Sequence, residues 1–214
     1  QQLLLIIWER RAVYGAYLLG APLIVLVLYA FQAWIPSLLV RVHGFGIVDA
    51  GRVYGSIALV AGSAGGLSGP LMMKWLRARL HQDGAPLTIA MGAAILLIPV
   101  TVTMGLSASP SVAIAMITAG SFLITVPMAL FATGLQNSSP NEIRGLMAGA
   151  YVFMVNVVGL TLGPSSVALM TDAVFGRDDA VGLSLAVVCG CALVLAAMLL
   201  RQGLGAFQSE ARHR

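Results

Sequence analysis

The sequence predicts an all-α, polytopic membrane protein with six transmembrane helices, and three observations carry that prediction. Apolar residues make up 59% of the 214-residue chain and charged residues only 9%, where a soluble domain is about one quarter charged. The charges also fall in clusters: no Asp, Glu, Lys or Arg occurs in 12–40, 53–73, 84–141, 145–171 or 180–200. The short, alternating segments with a polar lumen face that a membrane β-barrel requires are absent. Disorder, collagen and coiled coil are excluded as well, because each needs polar, periodic or heptad-rich sequence.

Each span follows from a gap between charges. A helix crossing the hydrocarbon needs about 20 apolar residues. Four gaps hold one helix each. The gap 84–141 holds two, divided at the turn-forming cluster Ser107-Ala108-Ser109-Pro110-Ser111. The spans are expected near 13–38, 51–75, 87–106, 111–135, 144–170 and 181–200. They form one membrane domain over 13–204, between a lead-in of residues 1–12 and a tail of residues 205–214. Both ends then lie on one side, with Arg10, Arg11, Lys74, Arg77, Arg79, Arg144, Arg201, Arg212 and Arg214. Only Arg41, Arg52 and Arg177 lie on the other. The excess of cations puts both termini in the cytoplasm. The chain starts at Gln1, without a segment of signal-peptide form. Leu3 to Trp8 followed by Glu9-Arg10-Arg11 reads as a cytoplasmic lead-in, so the chain is expected to be part of something longer.

The same residues exclude several functions. The net charge of +4 follows from topology and lipid headgroups, and no basic stripe interleaved with exposed aromatics suggests nucleic acid. Cys189 and Cys191 point to different faces of one helix and have no His nearby, so neither a disulfide nor a metal site is expected. No acidic or basic side chain lies within a span: His43 and His81 fall in loops, His213 in the tail, and Lys74 at a helix end. Proton relays, Schiff-base chemistry and intramembrane proteolysis all need such groups. The chain is therefore expected to be neither an enzyme nor a cofactor carrier.

Two spans are rich in small residues. The second has Gly51, Gly55, Ala58, Gly62, Gly65, Gly66 and Gly69, and the fifth has Gly145, Gly149, Gly159 and Gly163. Such residues let backbones approach closely in lipid, either inside this unit or against another bundle. Gly65 to Pro70 and Gly159 to Pro164 both read GxxxGP, 94 residues apart (65 to 159). That offset spans three helices. The two motifs then lie at opposite membrane faces, as an inverted three-plus-three repeat requires.

Uncharged polar residues align on single faces. Thr118, Ser121 and Thr125 do so on the fourth span, and Tyr29, Gln32 and Pro36 on the first. Each hydroxyl competes with a bond back to its own helix. Gln32 and Asn156 cost more in lipid and need a cavity or interhelical partners. Pro22, Pro36, Pro99 and Pro127 interrupt spans. Ser139-Pro140-Asn141-Glu142 reads as a capping box opening the fifth helix. Arg144 in the following turn opposes the helix dipole, and a headgroup or an acidic partner is expected to compensate it.

Three stretches carry a family resemblance. Trp34 to Gly44 followed by Ala50-Gly51, Pro140 to Gly145, and Gly159 to Pro164 with Thr171-Asp172-Ala173-Val174-Phe175-Gly176 resemble the C-terminal six-helix half of a major facilitator superfamily transporter. The third stretch is most similar to bacterial spinster-like members. The resemblance implies that residues 1–12 end a central loop and that the first and fourth helices line a solute cavity. Tyr29, Gln32, Thr118, Ser121 and Thr125 then touch solute, with Asn156 as a further cavity residue. It also implies that the second and fifth helices meet the other half through Gly55, Gly62, Gly66, Gly69, Gly149, Gly159, Gly163 and Pro164. Arg77, Glu142 and Arg144 are the implied cytoplasmic gate, although Met72-Met73-Lys74-Trp75-Leu76-Arg77 lacks the acid usual in that loop.

The implied function is half of a secondary active transporter. It moves a small organic or amphipathic solute, lipid-like solutes included, by alternating access in a bacterial inner membrane. The implied partners are an N-terminal six-helix half, membrane lipids and the solute; no nucleic acid is expected. The alternative is a complete six-span channel or assembly subunit with no transport cycle of its own.

Overall fold

The computed structural model describes residues 10–80 and 84–212. The segment from Leu3 to Glu9, together with His81, Gln82 and His213, lies outside the described residues. Six helices are long and apolar enough to cross a membrane: α1 (Arg11–Arg41), α2 (Ile47–Ala78), α3 (Ala85–Leu106), α4 (Pro110–Ser138), α5 (Arg144–Phe175) and α6 (Asp178–Ser209). Each contains one expected span. The largest difference is at α6, which continues as regular helix to Arg212 through the residues expected to form a separate tail.

The charge-free gaps give spans because every backbone polar group in lipid must be satisfied within its own helix. Starts and stops follow local chemistry. Ser109 is extended (φ −88°, ψ 120°) and Pro110 opens α4, so the missing proline N–H costs no helix bond. Gly44 (φ 71°) ends α1: its N–H bonds to Val40 O and that of Phe45 to Leu39 O, the pattern of a glycine-terminated helix.

α1 runs through the centre of the bundle, with Ile24, Val27, Ala30, Phe31, Ile35 and Leu38 at most 1% exposed. α3 and α6 pack along each other and cross with bare backbones at Gly105 and Gly182. α2 lies on α4, and α5 on α1. These last two helices are the least covered. Only 17% of the most apolar window of α2 is buried and 11% of that of α5, against 39% to 50% for the other four.

The GxxxGP motifs make the two crossings. A Cβ at Gly65 or Gly69 would collide with the carbonyl of Phe122 or Val126 on α4. A Cβ at Gly159 would come within 2.9 Å of Val25 Cγ1, and one at Gly163 within 2.7 Å of Leu26 O, both on α1. Repeat-related helices thus bear on repeat-related partners, which is the geometry of the inverted repeat. Gly69, Gly159 and Gly163 spend their small size inside the six-helix unit and not on contact with another bundle. Pro164 also faces inward at its carbonyl, which accepts the Trp34 indole N–H at 3.0 Å.

Both helices widen near the motif: α2 makes π-type turns over Ala58–Gly62, ahead of Gly65, and α5 over Val155–Leu162, running into its motif. Such turns insert one extra residue per turn and recur at functional sites.

The capping box is not formed. Residues 141–143 form a turn, and regular helix starts at Arg144 with Ile143 before it and no side-chain cap. The Ser139 hydroxyl instead donates back to Leu135 O at 2.8 Å. It serves the end of α4, whose last carbonyls are equally in need of a partner. The compensation of Arg144 differs accordingly: its Nε donates to Gln136 O at 3.1 Å. Arg10 Nη1 donates to Ser138 O at 3.1 Å. The negative end of the α4 dipole therefore holds two guanidinium groups.

Candidate functional site

A cavity of about 270 Å³ opens where α1, α2 and α4 meet. From α1 come Leu28, Phe31 and Gln32, and from α4 Ser121, Ile124 and Thr125. The wall from α2 is Tyr54, Ala58, Gly62 and Ser63. Complete small-molecule sites hold about 300–1,000 Å³, so this volume suits one wall of a larger site.

The expected polar groups divide. Gln32, Ser121 and Thr125 come together in this wall, because positions four apart share a helix face. Thr125 Oγ1 donates to Ser121 O and Phe122 O, both at 3.0 Å, and keeps only acceptor capacity. Among the described residues, Gln32, Tyr54, Ser63 and Ser121 make no side-chain hydrogen bond within the chain. Four uncommitted polar groups thus converge on one space, flanked by Phe31 and Ile124.

Tyr29, Thr118 and Asn156 are not in this wall. The Tyr29 ring packs beside Gly159, 3.4 Å from the place of its missing Cβ. Thr118 Oγ1 bonds Ile114 O on its own helix at 2.8 Å, and Asn156 Nδ2 bonds Val152 O at 2.8 Å. Gly62 lies in the cavity wall, where an added Cβ would stand 3.8 Å from Thr125 Cγ2. Gly55, Gly66 and Gly149 have nothing within 4 Å of an added Cβ. Of the expected gate, Arg144 is committed to Gln136 O, while Arg77 and Glu142 are exposed at the end of the bundle that carries the chain termini.

Tyr54 was missed in the sequence. Its spacing with Ala58 and Gly62, four residues each time, was the available signal. The opposite end of the bundle carries the ion pairs Arg41–Asp178 (3.6 Å), Arg52–Asp49 (3.9 Å) and Arg177–Asp179 (3.8 Å). His43 lies there with both ring nitrogens buried and without a hydrogen-bond partner. Burial holds its pKa below the ordinary 6.5. No group of three or more His, Cys, Asp or Glu fit to hold a metal occurs among the described residues.

Six spanning helices with a cavity where α1, α2 and α4 meet form a fold that solved structures share. The similarity is to solved structures of a bacterial homolog of the human lysosomal transporter Spinster. With its inward-facing, unoccupied form the chain shares 16% identity and a TM-score of 0.69, over 98% of this chain and 50% of that one. With the inward-facing, occupied form the values are 15% and 0.60, over 94% of this chain and 49% of that one. The chain thus spans about half the length of the structures it matches. Neither a protein-family model nor a curated protein matches the sequence.

Proposed function

We propose that the chain is the C-terminal half of a secondary active transporter for a small organic or amphipathic solute. The observation that carries this reading is the convergence of Gln32, Tyr54 and Ser121 on a cavity walled in part by α2, one of the two least covered helices. Uncharged hydrogen-bonding groups between apolar walls suit a solute with both polar and apolar parts. The exposed sides of α2 and α5 suit contact with an N-terminal six-helix half, and movement of one half against the other exposes the cavity to each side in turn. Lipid-like solutes fall within this class. Both chain ends face the cytoplasm, in a bacterial inner membrane.

The test needs no identified solute. Gln32→Cys is placed in the complete transporter, in a Cys191→Ser background, because Cys191 is exposed and Cys189 is buried. Impermeant thiol reagents are applied from each side of the membrane. Alternating access gives labelling from both sides. Labelling from one side only contradicts the cycle, and no labelling from either side contradicts the cavity. In the same membranes, cysteines at Ser109 and Asp178 label from outside and one at Lys74 from inside. The reverse pattern overturns the orientation.

A further inference from the structure

The two repeats treat the same position differently. With the 94-residue offset, Gly62 on α2 corresponds to Asn156 on α5 (62 to 156), Ala58 to Val152 and Tyr54 to Ala148. Gly62 closes the wide turn Ala58–Gly62, and Asn156 lies in the wide turn Val155–Leu162. On α5 the position carries a side chain whose Nδ2 donates to Val152 O of the same helix. On α2 it carries none, and the space beside it is the cavity.

Close packing does not account for the glycine. At Gly65 and Gly69 a Cβ collides with the backbone of α4, so those positions admit nothing larger. At Gly62 the nearest atom to an added Cβ is a methyl carbon, Thr125 Cγ2, at 3.8 Å, an ordinary van der Waals separation. A methyl group therefore fits there, and anything larger projects into the space bounded by Gln32, Ser121 and Thr125. Tyr54 stands two helical turns away on the same face, with its hydroxyl uncommitted.

Resting on the transporter reading above, we infer that α2 sets solute selectivity: Gly62 limits the size of the group admitted, and Tyr54 supplies a hydrogen bond to it. The group admitted is uncharged, since no ionisable carboxylate or cation of this chain lines the cavity. It is a hydroxyl, amide or ester portion of an amphipathic solute, read by Gln32, Tyr54 and Ser121. Any charge on the solute is met by groups outside this wall.

The experiment measures modification rates of Gln32→Cys in the complete transporter, in the Cys191→Ser background. Two methanethiosulfonate reagents are used, one transferring a methyl and one a benzyl group. Adding Gly62→Val is expected to slow the benzyl reagent about tenfold or more, the scale on which small changes in pocket size discriminate, with little change for methyl. Gly62→Ala is expected to lie between. Gly190→Val on α6 is the control, because Gly190 has open space at its Cβ and no place in the cavity wall; its rates stay at the parent values. Equal slowing of both reagents by Gly62→Val, or the same slowing by Gly190→Val, overturns the inference while leaving the transporter reading intact. Absence of any Gln32→Cys modification, even by methyl, instead overturns the reading itself. Tyr54 is tested on its hydroxyl: Tyr54→Phe keeps the Gly62 size limit and lowers uptake of hydroxyl-bearing solutes more than that of their methyl ethers. Equal uptake of each pair in Tyr54→Phe and its parent overturns the assignment of Tyr54.

Discussion

α2 and α5 are copies of one design put to different uses. Each carries a GxxxGP motif, each widens into π-type turns ahead of or into it, and each crosses a helix of the opposite repeat with a bare backbone. Just ahead of that crossing they diverge. The turn in α5 carries Asn156, exposed and bonded through Nδ2 to Val152 O, and α5 lies close on α1 through Gly159 and Gly163. The turn in α2 ends in Gly62, and a cavity opens between it and α4. Glycine thus has two roles in one bundle. Where a carbonyl faces it, as at Gly69 and Gly163, it permits packing; where a cavity faces it, as at Gly62, it permits access. The difference lies in the neighbour, not in the residue.

The largest expected effect tests the packing role. Gly69→Leu and Gly163→Leu each force a side chain into backbone, and each is expected to cost about 3 kcal/mol, the upper end of overpacking. Gly55→Leu and Gly149→Leu, at open positions, are expected to leave thermal stability unchanged in the isolated chain. Similar losses at all four sites in detergent melts break the distinction.

A smaller effect tests the access role. Gln32→Ala is expected to lower uptake by the complete transporter about tenfold, the worth of one hydrogen bond to solute. Asn156→Ala, whose amide is spent on its own helix, is expected to change it little. Equal loss at both positions puts the cavity on the wrong arm.

Next comes the bond that joins α5 to α1. Trp34→Phe removes the indole donor to Pro164 O and is expected to cost about 1 kcal/mol, read as a lower melting temperature. The smallest effect belongs to His43, at the end away from the chain termini. Its lowered pKa means that the folded state binds fewer protons than the unfolded one. Stability is then full above about pH 6.5 and falls as the pH drops from there toward the folded value. His43→Gln is expected to remove that acid-side slope; an unchanged slope rejects the assignment.

The sequence made the span count legible because charges cannot sit in hydrocarbon, and the gaps between them are physical lengths. The repeat was legible from Gly65 to Pro70 and Gly159 to Pro164. Part of the cavity wall was legible too: Gln32, Ser121 and Thr125 lie on faces that periodicity alone brings together. The rest depends on choices between equal local partners. The Ser139 hydroxyl had carbonyls behind it and amides ahead, and nothing in Ser-Pro-Asn-Glu says that Leu135 O wins. Thr118 and Asn156 had the same choice and took their own helices. Gly62 and Gly69 are one residue type on one helix, and only the approach of α4 separates them. The wide turns left no mark in composition.

Leu59 and Phe153 report whether α2 and α5 meet a second six-helix half. They are repeat-related (59 to 153), and both are exposed in this half, at 70% and 61%. Leu195 on α6 is exposed as well, at 54%. A nitroxide is placed at each position in turn in the complete protein, in lipid, and its collision rate with oxygen is measured. If α2 and α5 meet a second six-helix half, the rates at 59 and 153 fall well below that at 195, because protein replaces lipid there. Equal rates at all three positions contradict the account, because both helices would then face lipid and the six-helix bundle would have no second half against them.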